Sequence, residues 1–127
     1  YSKVVNVKDG KRTPIEIEAF LREALTQRFD STAQVHDAFL SEEEQFLREK
    51  EQRDLQNRKL TQKVVLNSIS VNGGEIIVDA DRLISIGEIR SAFKFPLNIR
   101  MESVTRTEGN PYGLLASQIK AIEKGDK

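Results

Sequence analysis

The most regular pattern in this chain is FKFPLNIRME, which occupies residues 93–102. Apolar side chains take every second position of it, namely Phe93, Phe95, Leu97, Ile99 and Met101. A period of two is typical of a β-strand that buries one face and exposes the other to water, as strands of antiparallel sheets do. Pro96 falls on the polar face and has no N–H to donate, so it indicates a sheet edge or a bulge at that point.

Three more strands are predicted around this pattern. Residues 63–71 are rich in β-formers and end in Asn72-Gly73-Gly74, a sequence typical of tight hairpins. A strand over residues 76–86 places one set of apolar side chains on a single face: Ile76, Val78, Ala80, Ile84 and Ile86. The last strand is expected over residues 114–122. Because the connections between consecutive strands are short, the sequence predicts a four-stranded antiparallel meander.

Arg82 is the one charge on the apolar face of the strand over residues 76–86. A bulge that turns the side chain outward would explain it, and so would a place at the sheet rim where its charged end reaches water. The alternative is a charge in a pocket that pairs with a ligand. Asp79 and Asp81 are expected on the opposite face of the same strand.

Three helix starts precede the sheet, and each has the pattern of a capping box. In such a box a Ser or Thr side chain accepts from an orphan N–H, and a Glu or Gln three residues later reaches back. The boxes begin at Thr13, Ser31 and Ser41. They predict a first helix over residues 14–28, a short second helix that buries Val35 and Phe39, and a third helix over residues 42–58.

The first and third helices differ in their apolar content. The first carries a stripe wide enough to pack on a sheet: Ile17, Phe20, Leu21, Ala24, Leu25 and Phe29. The third has only Phe46, Leu47 and Leu55, so it is either a solvated helix held to the core by one edge or a helix held out for a partner. Together these elements predict an α+β domain, with three N-terminal helices covering one face of the sheet.

The composition excludes several kinds of function. Lys plus Arg equals Asp plus Glu, 20 against 20, which argues against a nucleic-acid groove or an anionic membrane surface as the main partner. Cysteine is absent, which excludes disulfides, thiolate metal sites and cysteine nucleophiles. His36 is the only histidine and no phosphate-binding loop is present, so we expect neither a metal nor a cofactor. The chain begins at Tyr1, and we expect a fragment whose membrane anchor lies upstream.

The loop over residues 107–113 contains Asn110, Pro111, Tyr112 and Gly113. Asn at the first position of a type I turn, Pro at the second and Gly at the fourth are all favoured, so turn geometry alone accounts for three of the four residues. Tyr112 remains, at the expected apex of the turn, and large amphipathic side chains of this kind are common at interfaces. The loop is therefore either a structural turn or a contact surface.

The order of these elements resembles the nuclear-transport-factor-like cone fold, with a curved four-stranded sheet. Within it, residues 33 to 123 resemble the periplasmic domain of the TraE or VirB-eight-like subunit of type IV secretion systems. The stretches that carry the resemblance are FLSEEEQFL at 39–47, QKVV at 62–65, FPLNI at 95–99 and GNPYGL at 109–114. The family has an Asn-Pro-x-Gly motif at the last of these places, which corresponds to Asn110, Pro111, Tyr112 and Gly113.

The resemblance implies a non-enzymatic assembly subunit of a conjugation channel on the periplasmic face of the bacterial inner membrane. Such a subunit forms homodimers or larger oligomers, contacts other channel subunits, and binds neither a cofactor nor nucleic acid directly. Residues 13–127 would form the single periplasmic domain. Residues 1–12 would be a membrane-proximal linker or an extra edge strand.

Two alternatives remain at this stage. One is a small cone-fold enzyme of the ketosteroid-isomerase type, which needs a buried acid and a proton donor. Asp79 or Asp81 inside an apolar cavity would favour it. The other is an unrelated soluble protein-interaction domain. For either binding function, the exposed side of the helix over residues 42–58 and the Tyr112 turn are the candidate surfaces, and we expect Tyr112→Ala to weaken association with the fold intact.

Overall fold

The computed structural model describes residues 12–33, 38–72 and 75–122 of the chain. Within these residues two helices precede five antiparallel strands. The helices are α1 (Pro14–Phe29) and α2 (Glu42–Asn57). The strands are β1 (Thr61–Asn72), β2 (Glu75–Ile86), β3 (Ile89–Lys94), β4 (Leu97–Ser103) and β5 (Leu114–Ala121). The α+β class is confirmed. Five strands replace the predicted four, and two of the three predicted helices are present in the described residues.

The first capping box is complete. The Thr13 hydroxyl accepts a hydrogen bond from the Glu16 amide at 3.1 Å, and the Glu16 carboxylate accepts one from the Thr13 amide at 3.0 Å. Pro14 takes the first helical position, where its missing N–H has no partner to lose. The predicted start and extent of α1 are therefore confirmed.

The second predicted helix is not found in the part of the chain that the structure describes. Ser31 and Thr32 form a turn, and residues 34–37, which include Val35 and His36, lie outside the described ranges. The Ser31 hydroxyl accepts from the backbone amide of Gln62 on β1 at 2.9 Å. The hydroxyl on which the predicted capping box depends therefore takes part in a contact with a distant strand.

The third box is half formed. The Ser41 hydroxyl accepts from the Glu44 amide at 3.2 Å and begins α2 where predicted. The Glu44 carboxylate does not return to the Ser41 amide, because it turns into the interior, where Glu44 is 1% exposed. The helix prediction is confirmed, but the reciprocal half of its capping box is wrong.

The sheet has the order β1-β2-β4-β5, and β3 also pairs with β2. Strand β2 is long enough to hold both: Val78 pairs with Leu97 on β4, and Asp81 pairs with Lys94 on β3. Phe95 lies between the two strands, and its amide still donates to the Ala80 carbonyl at 2.9 Å. The predicted strand over residues 93–102 is therefore two strands in one register, interrupted where Pro96 has no N–H to give the ladder.

The core lies between α1 and one face of the sheet. It contains the predicted stripe of α1 and apolar side chains from every strand except β3: Phe20, Leu21, Ala24, Leu25, Phe29, Val64, Leu66, Ile76, Val78, Ala80, Leu97, Ile99, Leu114, Ala116 and Ile119. The sheet continues beyond the helices, where Ile86 is 44% exposed and Phe93 is 52% exposed. The expectation that both face a buried core is wrong. Neither helix of the described residues is long and apolar enough to cross a membrane.

Candidate partner-binding site

The turn at residues 110–113 is present and is closed by a hydrogen bond from the Gly113 amide to the Asn110 carbonyl at 3.1 Å. Asn110 is 2% exposed, and its Nδ2 donates to the carbonyls of Ala38 at 2.9 Å and Leu114 at 2.8 Å. A single amide therefore joins the turn to the segment before α2 and to the start of β5. Its Oδ1 has no hydrogen-bond partner among the described residues.

Gly113 is required by both its backbone and its surroundings. Its φ of +65° lies in the left-handed region, where a side chain is disfavoured. A Cβ at this position would lie 2.5 Å from Nη2 of Arg12 and 2.9 Å from the carbonyl oxygen of Val104. The turn thus packs so closely against its neighbours that any other residue would displace one of them.

Tyr112 does not stand at an exposed apex, so that expectation is wrong. Its ring meets the rings of Phe20 and Phe39 edge-on, with centroids 6.0 Å apart in each case. Its hydroxyl donates to the Glu23 carboxylate at 2.7 Å, and this hydrogen bond raises the pKa of Tyr112 above its ordinary value. Because half of the side chain packs on the core, Tyr112→Ala would also destabilise the fold. The exposed residue of the turn is Pro111.

Two arginines tie the turn to the start of α1. Arg12 donates to the carbonyls of Tyr112 at 2.7 Å and Gly113 at 3.0 Å. Arg106 donates to the Glu16 carboxylate at 2.8 Å and to the Pro111 carbonyl at 2.9 Å. The hydrogen bond from Arg106 lowers the pKa of Glu16 below its ordinary value. The sequence carries no local signal for the contacts of Arg12 or for the contact of Arg106 with Glu16, since these join segments distant in the chain.

The turn and the first turn of α1 therefore form one rigid surface. Ile15, the residue before Glu16 in the first turn of α1, is 81% exposed. Pro111 is exposed and Tyr112 is half-buried. We call these three residues the turn surface. An exposed apolar group on a rigidly held support is well suited to packing against another protein.

A buried polar network lies at the other end of α1. The Arg28 guanidinium donates to the carboxylates of Glu44 at 2.9 Å and Glu51 at 3.0 Å, and the second oxygen of Glu44 accepts from the Ile119 amide at 3.0 Å. The side chains of Arg28 and Glu44 are only 8% and 2% exposed. The network thus joins α1, α2 and β5 through charges that satisfy one another in the interior.

Arg82 extends this network from the sheet. Its Nε donates to the Gln62 side-chain oxygen at 2.7 Å, and its guanidinium lies 5.3 Å from the centre of the Phe95 ring. The Gln62 side-chain Nε2 donates to the Phe29 carbonyl at 2.8 Å. Arg82 therefore faces inward, and the expected bulge at this residue is wrong. The irregularity of this ladder lies instead on β1, between Leu66 and Ser68.

The acids that would favour an enzyme do not enter a cavity. Asp79 is exposed, and Asp81 accepts from the Asn67 side chain at 3.1 Å on the opposite sheet face from Arg82. A cavity of about 360 Å³ lies between the start of α1 and β1, and one of about 530 Å³ lies beside the end of α1, with Asp30 in its lining. Burial raises the pKa of Asp30, whose carboxylate accepts from the Val64 amide at 3.1 Å. No cluster of three or more metal-ligating side chains occurs in the described ranges.

The outer face of α2 is a second candidate surface. Only Glu44 and Leu55 are buried from this helix, so it is held to the core by one edge. Phe46 is 59% exposed and Leu47 is 37% exposed. The Lys50 ammonium lies 5.7 Å from the centre of the Phe46 ring and partly covers it.

Two helices against a five-stranded antiparallel sheet give this chain an α+β fold. Its fold is more particularly that of VirB8 and TraE. The structure of Agrobacterium tumefaciens VirB8 aligns over 98% of this chain and 99% of its own, with a TM-score of 0.66 and 16% identity. A TraE protein in complex with 4-(1H-pyrrol-1-yl)pyridine-2-carboxylic acid aligns over 90% and 99%, with a TM-score of 0.66 and 11% identity. No protein-family model and no curated protein matches the sequence.

Proposed function

We propose that this chain is a non-enzymatic assembly subunit of a bacterial type IV secretion channel, of the kind used in conjugation. The observation that carries the proposal is the fold likeness, which runs over 98% of this chain and 99% of VirB8. The likeness to TraE extends over 99% of that protein as well. At identities of 16% and 11%, a fold shared from end to end supports a shared architectural task more than a shared chemistry.

The internal use of charge supports a role without catalysis. A general base needs a lone pair within reach of a substrate proton. Both oxygens of the buried Glu44 carboxylate are hydrogen-bonded, one to Arg28 and the other to the Ile119 amide. Arg82 is directed to Gln62. The interior charges therefore hold helices and strands together.

The turn surface is the proposed site of self-association into a homodimer or larger oligomer, and residues 110–113 are its structural centre. Asn110 and Gly113 hold the turn, Pro111 faces solvent and Tyr112 is half-buried, and Ile15 is exposed in the first turn of α1, which Arg106 ties to the turn. The other proposed partners are further subunits of the channel, and we assign the outer face of α2 as their contact surface. We expect no direct contact with nucleic acid, since the chain has no basic excess.

The proposed location is the periplasmic face of the bacterial inner membrane, with residues 13–127 as one domain. Residues 1–12 would lead to an anchor or add an edge strand, and all of them except Arg12 lie outside the described ranges. The full gene should then encode about 20 consecutive apolar residues upstream of this chain, with Lys or Arg on the cytoplasmic side. A gene product that starts near Tyr1 would contradict this location.

Sedimentation of the purified domain tests the self-association surface. We expect wild-type protein to show a concentration-dependent rise in mass between about 10 µM and 1 mM, a range suited to weak dimers. Ile15→Glu should shift that rise to at least tenfold higher concentration, because it places a charge in the apolar contact. Ile89→Glu is the matched control, since Ile89 is 68% exposed on β3 at the other end of the sheet. Equal effects of the two variants, or a monomer at every concentration, would refute the turn surface.

A further inference from the structure

Strand β3 is an edge that the described chain leaves open. All six residues of Ile89–Lys94 are exposed, and within the described ranges β3 pairs only with β2. Ile89 and Phe93 are 68% and 52% exposed, although both are large apolar residues. An unprotected edge strand presents a row of backbone donors and acceptors that can pair with another chain. Arg90 and Lys94 disfavour pairing with a second copy of this edge, but the strand has neither the proline nor the bulge that would block an added strand of another sequence.

The backbone groups that point to the open side of β3 follow from a single hydrogen bond. The amide of Phe95 donates toward β2, to the Ala80 carbonyl at 2.9 Å. Amides alternate in direction along a strand, so those of Phe93 and Ser91 also point to β2. The N–H and C=O groups that point to the open edge are therefore those of Arg90, Ala92 and Lys94.

The side chains of β3 separate into an apolar and a basic face. Phe93 lies opposite Arg82, and Ile89 lies opposite Ile86, so both belong to the face that continues the core side of the sheet. Arg90, Ala92 and Lys94 belong to the other face. Strand β3 carries no acid, although Asp81 on β2 lies opposite Lys94. A strand added beside β3 would therefore meet apolar side chains on one face and two cations on the other.

We propose that β3 binds an extended segment of another protein as an added strand, and that this segment alternates apolar with acidic residues. Its main chain would bond to the open groups of Arg90, Ala92 and Lys94. Its apolar side chains would pack beside Ile89 and Phe93, and its acids would lie beside the two cations. This is the β-augmentation mode of peptide recognition, in which the backbone supplies affinity and alternate side chains supply specificity.

A second copy of the chain is the less favourable occupant. Two β3 strands side by side would bring Arg90 and Lys94 of both copies into one small area, and like charges on neighbouring strands are destabilising. An acidic strand reverses the sign of that interaction. The proposed binding needs only the open edge and its charges, and it is separate from the self-association assigned to the turn surface.

The probe is a synthetic nine-residue peptide of alternating Val and Glu, with a matched Val and Lys peptide as its counterpart. We expect the Glu peptide to bind the isotope-labelled domain saturably, as measured by NMR titration. Amide exchange should slow at Arg90, Ala92 and Lys94. Binding of the Lys peptide should be at least tenfold weaker.

Substitutions at Ala92 separate backbone pairing from charge attraction. Ala92→Pro removes an N–H from the open side, where proline is tolerated in edge strands, and should weaken binding at least tenfold. Ala92→Val keeps the N–H and should bind as wild type does. Melting curves of both variants verify the fold. Should Ala92→Pro unfold, the double variant Arg90→Glu/Lys94→Glu provides the test, because it should reverse the preference toward the Lys peptide.

Several results would overturn the proposal. Equal binding of the Glu and Lys peptides would remove the charge selectivity, and equal binding to folded Ala92→Pro and Ala92→Val would remove the backbone pairing. Absence of binding at millimolar peptide would remove both. Slowed exchange at Arg90, Ala92 and Lys94 that rises with protein concentration and needs no peptide would identify a second copy as the occupant.

Discussion

At the scale of single residues, Asn110 contributes more to the fold than its place in a surface loop suggests. It is 2% exposed, and its amide group is the donor to two backbone carbonyls. Those carbonyls belong to Ala38 and Leu114, which lie in different elements of the fold. The turn is therefore a junction between parts of the chain as well as a reversal of direction.

Asn110→Ala should lower the free energy of unfolding by about 2–4 kcal/mol, because it leaves two buried carbonyls without their donor at about 1–3 kcal/mol each. Urea denaturation monitored by circular dichroism measures this change. Glu108→Ala, at an exposed position of the same loop, should change stability by less than about 0.5 kcal/mol. Similar losses in the two variants would contradict the role assigned to the Asn110 amide.

Local preference explains why the turn was predictable and its contacts were not. Asn, Pro and Gly at these spacings favour a turn whatever surrounds them. The partner of the Asn110 amide, Ala38, is 72 residues away in the chain. Arg12 reaches the carbonyls of Tyr112 and Gly113, and Arg106 reaches the Glu16 carboxylate, in the same nonlocal way. The sequence predicts an exposed apex for Tyr112 because nothing local indicates that Phe20 and Phe39 lie beneath it.

At the scale of secondary-structure elements, Glu44 shows a tertiary contact overriding a local one. Its position predicts the return half of a capping box, worth little on an exposed helix start. The fold instead brings Arg28 and the Ile119 amide to it from α1 and β5. A rule based on sequence spacing cannot predict this change of hydrogen-bond partner, because Arg28 and Ile119 are remote from Glu44 in sequence. The start of α2 was nevertheless correct, since Ser41 alone is a sufficient cap.

A double-mutant cycle on Arg28 and Glu44 measures the coupling between α1 and α2. Each of Arg28→Met and Glu44→Met should cost about 3–5 kcal/mol, because each leaves a buried charge without its partner. The double variant should cost clearly less than the sum of the two. Replacement of Asp54 and Arg58, an exposed pair at 3.4 Å on α2, should show coupling below about 0.5 kcal/mol. Additive losses at the buried pair would contradict the network.

The link between α1 and the turn should be visible in the acid range. The folded pKa of Glu16 is lowered by Arg106, so its contribution to stability is present above its ordinary pKa and is lost as the pH falls through the folded pKa. Glu16→Gln should therefore lose less stability than wild type between about pH 6 and pH 3. Asp30, whose pKa is raised, acts with the opposite sign in both proteins and cancels from the comparison. Urea midpoints across this range, with Glu18→Gln as control, test the link; identical slopes for Glu16→Gln and wild type would contradict it.

The strands were predictable where their pattern is local and uncertain where it is not. The predictions of strands over residues 63–71, 76–86 and 114–122 are confirmed. Pro96 predicts an edge or a bulge, and it lies in the gap between β3 and β4. Alternation also predicts that Phe93 and Ile86 face a buried core, and both are exposed. A period of two shows which side chains share a face of the sheet, but it does not show whether another element covers that face. The helices do not cover the end of the sheet that holds these two residues. How far the helices extend over the sheet cannot be predicted from the strand sequences.

At the scale of the whole molecule, the buried charges serve the fold, and the apolar side chains open to other molecules lie on the surface. Its cations and acids are equal in number, and the buried ones pair with each other inside the domain. Exposed apolar side chains occur on the turn surface, on the outer face of α2 and on strand β3, as well as on β1, where Val71 is 56% exposed. They lie on different elements of the fold.

The family resemblance was readable from a few short stretches and could not have been read from overall similarity. Identity to VirB8 is 16%, so most positions differ although the folds are similar. The turn at residues 110–113 was recognisable because its backbone geometry restricts the residues allowed there. The partner surfaces carry no such restriction, and they emerged only when the exposure of Ile15, Phe46 and Phe93 was known.

The most direct measurement of the proposed function is the frequency of conjugative DNA transfer from donor cells in which the gene for this chain is deleted. We expect transfer to fall by several orders of magnitude and to be restored by the wild-type gene. Ile15→Glu, present at the same protein level by immunoblot, should fail to restore it, because the turn surface can no longer associate. Undiminished transfer after deletion would contradict the assignment to a secretion channel, and full restoration by Ile15→Glu would contradict its mechanism.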